Sequence, residues 1–333
     1  MATLNKLTDN FNRNINYLRL SVTDRCNLSC VYCTGRDCVP HLTHRDVLTY
    51  EELLRISRAA LELGITKVRI TGGEPLVRHG LVDFLSALTA LPQKPYVPLT
   101  TNGVRLAELA EPLYKAGVRG LNVSLDTLRP ERYARITGHD LCLQVRRGIR
   151  AAQAAGFRMV KINVVLMAGV NDDEVLDFAR LTMEEPIAVR FIEFMPVGDN
   201  SWSWDKLVPS QQVLDQVARL GQLTPLSPGP DDGPARRYRF QGACGELGII
   251  SPMSQHHCPS CNRLRITPEG TLKTCLFSDE EIDLRAVLRG GAGDAELKEV
   301  MRDAVNCKPE GIPQHSRPST VRKCLRSMKT IGG

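Results

Sequence analysis

A chain of 333 residues, of which 42% are hydrophobic, is long enough to bury a sizeable core and predicts about two domains. The 43 Lys and Arg residues outnumber the 37 Asp and Glu residues, and the net charge of +6, spread along the chain, indicates an anionic ligand. No segment has the roughly 18 apolar residues of a membrane span, and residues 1–15 lack the apolar core of a signal peptide. We therefore expect a cytoplasmic protein with no membrane partner.

Short β-rich runs alternate with amphipathic helical runs from Tyr17 to Met195, which predicts repeated βα units around a parallel sheet. Helices are predicted at Tyr50 to Leu63 and at Leu81 to Leu91. Six units are too few to close an eight-stranded barrel, so we favour an open partial (β/α)₆ barrel of the TIM type over a doubly wound sheet. The six predicted strands are approximately Tyr17 to Val22, Lys67 to Thr71, Tyr96 to Thr101, Gly120 to Leu125, Met159 to Leu166 and Ala188 to Phe194.

The βα alternation fades after Pro196. Leu223 to Arg237 is predicted to be a linker, because four prolines cluster there beside Asp231, Asp232 and Gly233. We place the partial barrel at residues 1–200 and a smaller α+β domain at residues 201–333.

Three thiols at CxxxCxxC spacing follow the first predicted strand: Cys26, Cys30 and Cys33. A four-iron cluster held by three thiolates keeps one iron open, just as catalytic zinc sites keep an open position. The alternative is a structural zinc ion that borrows a distant ligand such as Cys38, His41 or His44. The odd total of 11 cysteines argues against a disulfide framework and favours metal binding.

A second set of three thiols lies in the predicted C-terminal domain: Cys258, Cys261 and Cys275. Adjacent His256 or His257 would complete a Cys₃His zinc site, so zinc is also an alternative for this set. Arg263 and Arg265 lie two apart, so on an extended segment both guanidinium groups project from one face and can clamp phosphates. A solvated basic pair is the alternative.

The first set, with the aromatic residue Tyr32 before its last Cys, resembles the signature of the radical S-adenosylmethionine superfamily. Residues 71–75, TGGEP, resemble the turn that holds the methionine amino group of the cofactor in that superfamily. Residues 261–277, CNRLRITPEGTLKTCLF, closely resemble a segment of the GTP 3′,8-cyclase family of molybdenum-cofactor biosynthesis. Matching motifs extend from the first strand to the last two residues.

The resemblance implies S-adenosylmethionine as a cofactor and two [4Fe-4S] clusters, one on each cysteine set, with guanine on the open iron of the second. It implies cofactor contacts at four positions: Tyr32, Gly73, Ser124 and Met195. It implies GTP contacts at seven positions: Arg19, Arg69, Thr100, Lys161, Arg263, Leu264 and Arg265. His257 departs from the family pattern, which more often has an aromatic residue before the second CxxC.

The reaction implied by the family begins with reductive cleavage of S-adenosylmethionine to a 5′-deoxyadenosyl radical, which needs an electron donor. The radical takes hydrogen from ribose C3′, and the new carbon radical closes onto guanine C8. The family also implies a homodimer and a C-terminal tail, Gly332-Gly333, that reaches into the active site.

Two other functions are compatible with parts of the pattern. A peptide-modifying radical enzyme with an auxiliary cluster would not need the Arg263 and Arg265 clamp. A zinc-containing nucleic-acid-binding protein would suit the basic charge, but the sequence lacks a dense basic patch. Five further cysteines match no motif: Cys38, Cys142, Cys244, Cys307 and Cys324.

Overall fold

The computed structural model describes residues 6–33, 41–229, 232–311, 324 and 326–332. In these residues twelve strands form one sheet in the order β12-β11-β10-β1-β2-β3-β4-β5-β6-β9-β8-β7. The strands are β1 (Tyr17–Ser21), β2 (Lys67–Thr71), β3 (Pro98–Thr101), β4 (Gly120–Ser124), β5 (Val160–Leu166), β6 (Ile187–Glu193), β7 (Leu223–Leu226), β8 (Arg236–Phe240), β9 (Glu246–Ile250), β10 (Arg263–Ile266), β11 (Thr271–Lys273) and β12 (Ile282–Asp283).

The helices of the described residues lie mostly between the parallel strands, as βα units require. None of them is both long and apolar enough to cross a membrane. They are α1 (Tyr50–Glu62), α2 (Leu81–Thr89), α3 (Leu106–Lys115), α4 (Pro130–Thr137), α5 (Cys142–Ala154), α6 (Val175–Glu184), α7 (Ser210–Val217), α8 (Leu284–Arg289), α9 (Asp294–Asn306) and α10 (Met328–Ile331).

Strands β1 to β6 are neighbours in chain order, and each adjacent pair is parallel. The sheet begins at β12 and ends at β7, so it is open, and the predicted partial (β/α)₆ barrel is confirmed. All six predicted strands are present. The largest boundary error is in β3, which begins at Pro98 because Tyr96 makes only an isolated bridge with Lys67.

Side chains alternate across these strands, and this alternation separates the core from a polar interior. In β2, Val68 and Ile70 belong to the hydrophobic core, whereas Arg69 lines an interior cavity. In β10, Leu264 is fully buried in the core between Arg263 and Arg265, which line the same cavity. The sheet therefore supports a hydrophobic core on one face and a cationic cavity on the other.

Strands from the C-terminal part extend the barrel on both sides. β9 pairs in parallel with β6, and β10 pairs in parallel with β1. The predicted linker at Leu223 to Arg237 is wrong at its two ends, because β7 and the start of β8 form an antiparallel pair there. The linker was predicted from its prolines, which usually interrupt strands. β7 is the outermost strand, however, and an edge strand tolerates Pro225 because one side of its backbone is unpaired.

Helix α1 begins at a capping box that satisfies its first backbone groups. The Thr49 hydroxyl accepts a hydrogen bond from Glu52 N–H at 3.2 Å, and Thr49 N–H donates to the Glu52 carboxylate at 2.7 Å. The helix then buries Leu53, Ile56 and Ala60. Local sequence thus determines where this helix starts.

We predict that Thr49→Ala lowers the free energy of unfolding by about 1 kcal/mol, because one N–H at the start of α1 loses its acceptor. Urea denaturation followed by circular dichroism measures this change. Thr49→Ser, which keeps the hydroxyl, is the control and should retain most of the native stability. Equal stability of the Ala and Ser variants would contradict the role of the cap.

Candidate active site

A first cavity lies where the parallel strands end, and all three cysteines of the first set line it: Cys26, Cys30 and Cys33. The four positions predicted to contact S-adenosylmethionine line it too: Tyr32, Gly73, Ser124 and Met195. Ser124 is the last residue of β4, and Met195 follows the end of β6. The fold therefore brings both sets together at the carboxyl edge of the sheet, where barrel enzymes have their sites.

The turn after β2 packs directly on the backbone that leads into the cysteine loop. A Cβ atom at Gly73 would lie 2.5 Å from the carbonyl oxygen of Arg25, so only glycine fits this close approach. Gly73 N–H donates to the carbonyl oxygen of Thr23 at 2.6 Å. The spacing between the TGGEP turn and the thiols is thus set by backbone contact.

The Glu74 carboxylate joins this turn to the next one, after β3. It accepts hydrogen bonds from Leu76 N–H at 2.9 Å, from the Thr101 hydroxyl at 2.7 Å and from Asn102 N–H at 2.6 Å. The side chain is buried, and this burial raises the pKa of Glu74 to about 7. Glu74 therefore organises the wall of the first cavity from within the protein.

The thiols of the first set lie in surroundings that disfavour a bare thiolate. Burial raises the pKa of Cys26, raises that of Cys30 well above its usual range and raises that of Cys33 to about 12. Ionised sulfur in this cavity therefore requires a positive partner, and a metal centre supplies one because its binding releases thiol protons. The donor chemistry fits a metal cluster.

Asp126 is a residue of the first cavity that the motifs did not predict. Its carboxylate accepts a hydrogen bond from the Tyr32 hydroxyl at 2.7 Å and another from Val165 N–H at 2.8 Å. Burial raises the pKa of Asp126 to about 6. The sequence feature that could have predicted Asp126 is its position two residues after the end of β4, close to the predicted cofactor contact Ser124.

A second cavity adjoins the first and contains the second set of thiols: Cys258, Cys261 and Cys275. Five of the positions predicted to contact GTP line it: Arg19, Arg69, Thr100, Arg263 and Arg265. The two cavities share Thr100, Asn163, Ile192, Met195 and Met328. A ligand in one cavity would therefore lie next to a ligand in the other.

Two positions of the GTP prediction lie outside this lining. The Leu264 side chain is fully buried in the core, so any ligand contact at Leu264 would use its backbone. Lys161 lies on β5, and the pKa of Lys161 is lowered to about 7 by burial and by the nearby charges of Arg190, Arg69 and Lys67. Lys161 is therefore close enough to the arginines of the second cavity for their charges to act on it.

The second cavity concentrates positive charge. Among the described residues that line it are five arginines and no Asp or Glu. Burial and mutual repulsion lower the pKa of Arg19 to about 10 and that of Arg265 well below its usual range. Buried cations that repel one another favour a polyanionic ligand, and guanidinium groups match the oxygen geometry of phosphates.

Arg190 contributes to this cluster, although the motifs did not predict it. It lies in the middle of β6 with 7% of its surface exposed, and it lines the second cavity. Burial and then Arg69 lower the pKa of Arg190 to about 10. The sequence feature that could have predicted it is an arginine flanked by apolar residues within a buried strand, IAVRFIE.

Two asparagines also lack an internal partner for their side-chain oxygen. Within the part of the chain that the structure describes, Asn122 Oδ1 and Asn163 Oδ1 are buried without a hydrogen-bond partner. Both residues line the second cavity. Because buried polar atoms are nearly always paired, these oxygens indicate a ligand with hydrogen-bond donors.

Cationic side chains also surround the second cysteine set. Burial would raise the pKa of Cys261, but the charges of Arg263 and Lys308 lower it to about 6. Lys308 Nζ donates to the carbonyl oxygens of Arg263, at 3.0 Å, and of Thr274. A thiolate ligand for a metal is thus stabilised at Cys261.

Two of the four histidines considered as zinc ligands, His41 and His257, have other partners. His257 Nε2 contacts the Arg263 guanidinium, and His41 Nδ1 lies 3.2 Å from the Asp24 carboxylate. No group of three or more His, Cys, Asp or Glu side chains in the described ranges is arranged to hold a single metal ion. Cys38 lies outside the described residues.

The C-terminal tail reaches the arginines of the second cavity. The Gly332 carbonyl oxygen accepts hydrogen bonds from Arg19 Nε and Nη2, at 3.3 and 3.1 Å, and from Arg265 Nη1 at 3.0 Å. Met328 lines both cavities, and Lys329 lines the first. Gly333 lies outside the described residues.

Comparisons with known proteins agree with this geometry. The Radical SAM superfamily model matches residues 20–182, and the Molybdenum Cofactor Synthesis C model matches residues 187–313. The GTP 3′,8-cyclase of Thermodesulfovibrio yellowstonii is 44% identical over 98% of this chain and 100% of that protein. The GTP 3′,8-cyclase of Geobacter sulfurreducens is 50% identical over 92% of this chain and 93% of that protein. The chain belongs to the GTP 3′,8-cyclase family.

Membership of the GTP 3′,8-cyclase family confirms the resemblance that the motifs indicated. Among solved structures, Streptococcus suis SuiB bound to its precursor peptide SuiA has a TM-score of 0.60 and 16% identity. The likeness covers 95% of this chain and 77% of SuiB. At this low identity the likeness concerns the fold alone.

Four of the five cysteines without a motif lie among the described residues. Cys142 and Cys324 are buried, whereas Cys244 and Cys307 are exposed. None of these four lines the first or the second cavity.

We predict that Glu74→Ala lowers the free energy of unfolding by about 2–4 kcal/mol, because three donors lose a buried acceptor. Glu108→Ala is the control, since Glu108 is exposed and its ion pair with Arg105 is long, at 3.6 Å. That change should stay within about 0.5 kcal/mol. Urea denaturation of both variants measures the difference, and similar losses would contradict the structural role of Glu74.

Proposed function

We propose that the protein is a GTP 3′,8-cyclase, a radical S-adenosylmethionine lyase that makes (8S)-3′,8-cyclo-7,8-dihydroguanosine 5′-triphosphate from GTP. This reaction belongs to molybdenum-cofactor biosynthesis. The observation that carries the proposal is the near full-length likeness to relatives of that name, at 43–50% identity. The two adjoining cavities, each lined by three cysteines, support it.

The first cavity would hold a [4Fe-4S] cluster and S-adenosylmethionine. Cys26, Cys30 and Cys33 would be the cluster ligands. When bound, a cluster with one open iron supplies the electron that cleaves S-adenosylmethionine to its 5′-deoxyadenosyl radical. The contacts to S-adenosylmethionine would come from Tyr32, Gly73, Ser124 and Met195, all of which line this cavity.

The second cavity would hold GTP with its triphosphate on the arginines. Arg19, Arg69, Arg263 and Arg265 supply planar donors, and their repulsion is relieved by a polyanion. Thr100 and Lys161 would add contacts from neighbouring strands, and Leu264 would contribute its backbone. A second [4Fe-4S] cluster on Cys258, Cys261 and Cys275 would receive the guanine.

The protein would orient the cofactor and the substrate and exclude water, while the cofactor supplies the difficult bond cleavage. The lining that both cavities share, including Thr100, Asn163 and Met195, supports an arrangement with the ribose facing the cofactor. Asn122 and Asn163 offer unpartnered oxygens that would receive hydrogen bonds from the ribose or guanine. These contacts would direct the radical to one hydrogen.

The arginine cavity also distinguishes this function from the other two considered. A peptide modifier has no need for five arginines around a cavity whose described lining contains no carboxylate. Of the two histidines that could complete a zinc site on the second cysteine set, His257 contacts the Arg263 guanidinium, so such a site would need His256 as its fourth ligand.

The remaining parts of the proposal rest on the family and the sequence. We assign residues 1–200 to the radical-generating part and residues 201–333 to the part with the second cluster. The two family models support a chain of two parts, although their own boundary lies between residues 182 and 187. A homodimer, an electron donor and a cytoplasmic location complete the proposal.

The deciding experiment is anaerobic. Reconstituted protein is incubated with S-adenosylmethionine, a chemical reductant and GTP, and the cyclised triphosphate is sought by mass spectrometry. Iron and zinc are measured on the same sample. Zinc without iron, or S-adenosylmethionine cleavage without any GTP product, would contradict the proposal.

We predict that Cys26→Ala abolishes cleavage of S-adenosylmethionine, whereas Cys275→Ala retains cleavage and loses GTP cyclisation. The reason is that the two thiols line different cavities, one for each step. Chromatography of 5′-deoxyadenosine and of the nucleotide product separates the two effects. Cys244→Ala, at an exposed cysteine outside both cavities, is the control. Full cleavage by Cys26→Ala would refute the assignment.

We predict that Arg263→Ala weakens GTP binding about 10–100-fold and guanosine binding much less, because a charge-assisted contact to phosphate is lost. Equilibrium dialysis with both ligands measures the two affinities. Arg219→Ala, at an exposed arginine outside the second cavity, is the control. Equal losses for GTP and guanosine would remove the phosphate role.

A further inference from the structure

Tyr17 lies on β1 in the middle of the arginine cluster. Only 3% of its surface is exposed, and it lines the second cavity. Its hydroxyl oxygen accepts a hydrogen bond from Arg69 Nε and another from Arg19 Nη1 at 3.4 Å. Lys67 Nζ lies 4.4 Å from the centre of its ring. A weakly acidic side chain is thus enclosed by cations.

The strand register explains why Tyr17 meets so many charges. On β2, Tyr17 is paired with Lys67, and on β10 it is paired with Arg263. The positive groups that face it come from four strands: Arg19 on β1, Lys67 and Arg69 on β2, Arg190 on β6, and Arg263 and Arg265 on β10.

Few groups in this cavity can balance that charge. Its described lining contains no Asp or Glu, so the Tyr17 hydroxyl and the three thiols of the second set are the side chains that can become negative. The thiols belong to the proposed metal ligands. Apart from the proposed metal ligands, Tyr17 is therefore the acceptor among the described lining residues that can become negatively charged.

We propose that Tyr17 is a positioning residue whose hydroxyl oxygen takes the place of a phosphate oxygen until the nucleotide binds. It holds Arg19 and Arg69 toward the cavity, and it takes up a proton when the triphosphate arrives. This inference rests on the proposed GTP site and adds a residue that orients its arginines and links phosphate binding to pH.

The contacts of Arg69 support the positioning role. Its Nε donates to the Tyr17 oxygen, while its Nη1 donates to the Thr100 hydroxyl at 3.1 Å. The guanidinium group is therefore held from two sides, and its orientation depends on both acceptors. Without the Tyr17 oxygen, Arg69 would keep one of these two anchors.

The charge around Tyr17 supports the proton uptake. Burial alone would raise the pKa of Tyr17, but the charges of Arg69, Arg19 and Lys67 lower it to about 6. The surrounding cations therefore favour the phenolate form of Tyr17 at neutral pH. A bound triphosphate brings negative charge close to this oxygen and favours the neutral phenol, so binding consumes a proton.

The test compares the native protein with Tyr17→Phe, both loaded with clusters, by titration calorimetry with inorganic triphosphate and with GTP. At about pH 6 the variant should bind both anions about tenfold more weakly, because Arg19 and Arg69 lose an acceptor. Above this pH the difference should shrink, since only the native site must protonate a phenolate. Lys161 and the phosphates titrate in both proteins and cancel in the comparison.

Tyr96→Phe is the matched control, because the Tyr96 ring also lies near Lys67, at 5.7 Å, but does not line the second cavity. It should behave as the native protein. Equal affinities of the native and Tyr17→Phe proteins at about pH 6 would overturn the inference. A ratio of affinities that does not change with pH would also overturn it.

A second variant tests the inference even if Tyr17→Phe does not fold. A fluorinated tyrosine introduced only at position 17 keeps the acceptor and lowers the phenol pKa. It should move the pH dependence of triphosphate binding to lower pH, and an unmoved profile would overturn the inference. Inorganic triphosphate binding needs no radical chemistry, so loss of cyclase activity with intact triphosphate binding would count against the proposed function only.

Discussion

The repulsion among buried cations is the physical constraint on which the active site depends. Arg19, Arg69, Arg190, Arg263 and Arg265 all line one cavity without a carboxylate among its described residues. Burial removes hydration from these groups and each positive charge disfavours the next, as the lowered pKa values of Arg19, Arg190 and Arg265 indicate. The arginines donate to neutral or weakly acidic acceptors, namely the Gly332 carbonyl and the Tyr17 oxygen. A polyanion satisfies the same donors better.

The parallel sheet makes this concentration of charge possible. Strand residues alternate between two faces, so β10 carries Leu264 in the core and two arginines in the cavity. β10 comes from the C-terminal part of the chain, yet it pairs in parallel with β1, with Arg265 beside Arg19. Charges distant in sequence are thereby placed on adjacent strands. The C-terminal part consequently contributes to the barrel's own sheet as well as to the second cysteine set.

The two cysteine sets differ in their electrostatic surroundings, although their chemistry is alike. Burial raises the pKa of all three thiols in the first cavity, whereas Arg263 and Lys308 lower that of Cys261 in the second. Metal binding must therefore supply more of the charge compensation in the first set. Burial raises the pKa of the nearby carboxyl groups of Glu74 and Asp126, so they carry less negative charge than exposed carboxylates, while the second cavity is cationic. This contrast suits a sulfonium cofactor beside a triphosphate.

The sequence by itself determined the six barrel strands, the two cysteine sets and the family, because strand periodicity and CxxC spacing are local patterns. A contiguous motif also predicted that Arg263 and Arg265 contact phosphate. Tertiary structure decided what depends on distant segments: the pairing of β10 with β1, the edge strand β7 hidden by prolines, and the roles of Tyr17 and Arg190. A tyrosine in a buried strand looks like an ordinary core residue. Its significance arises only from the cations that other strands place around it, and those contacts are set by register and burial.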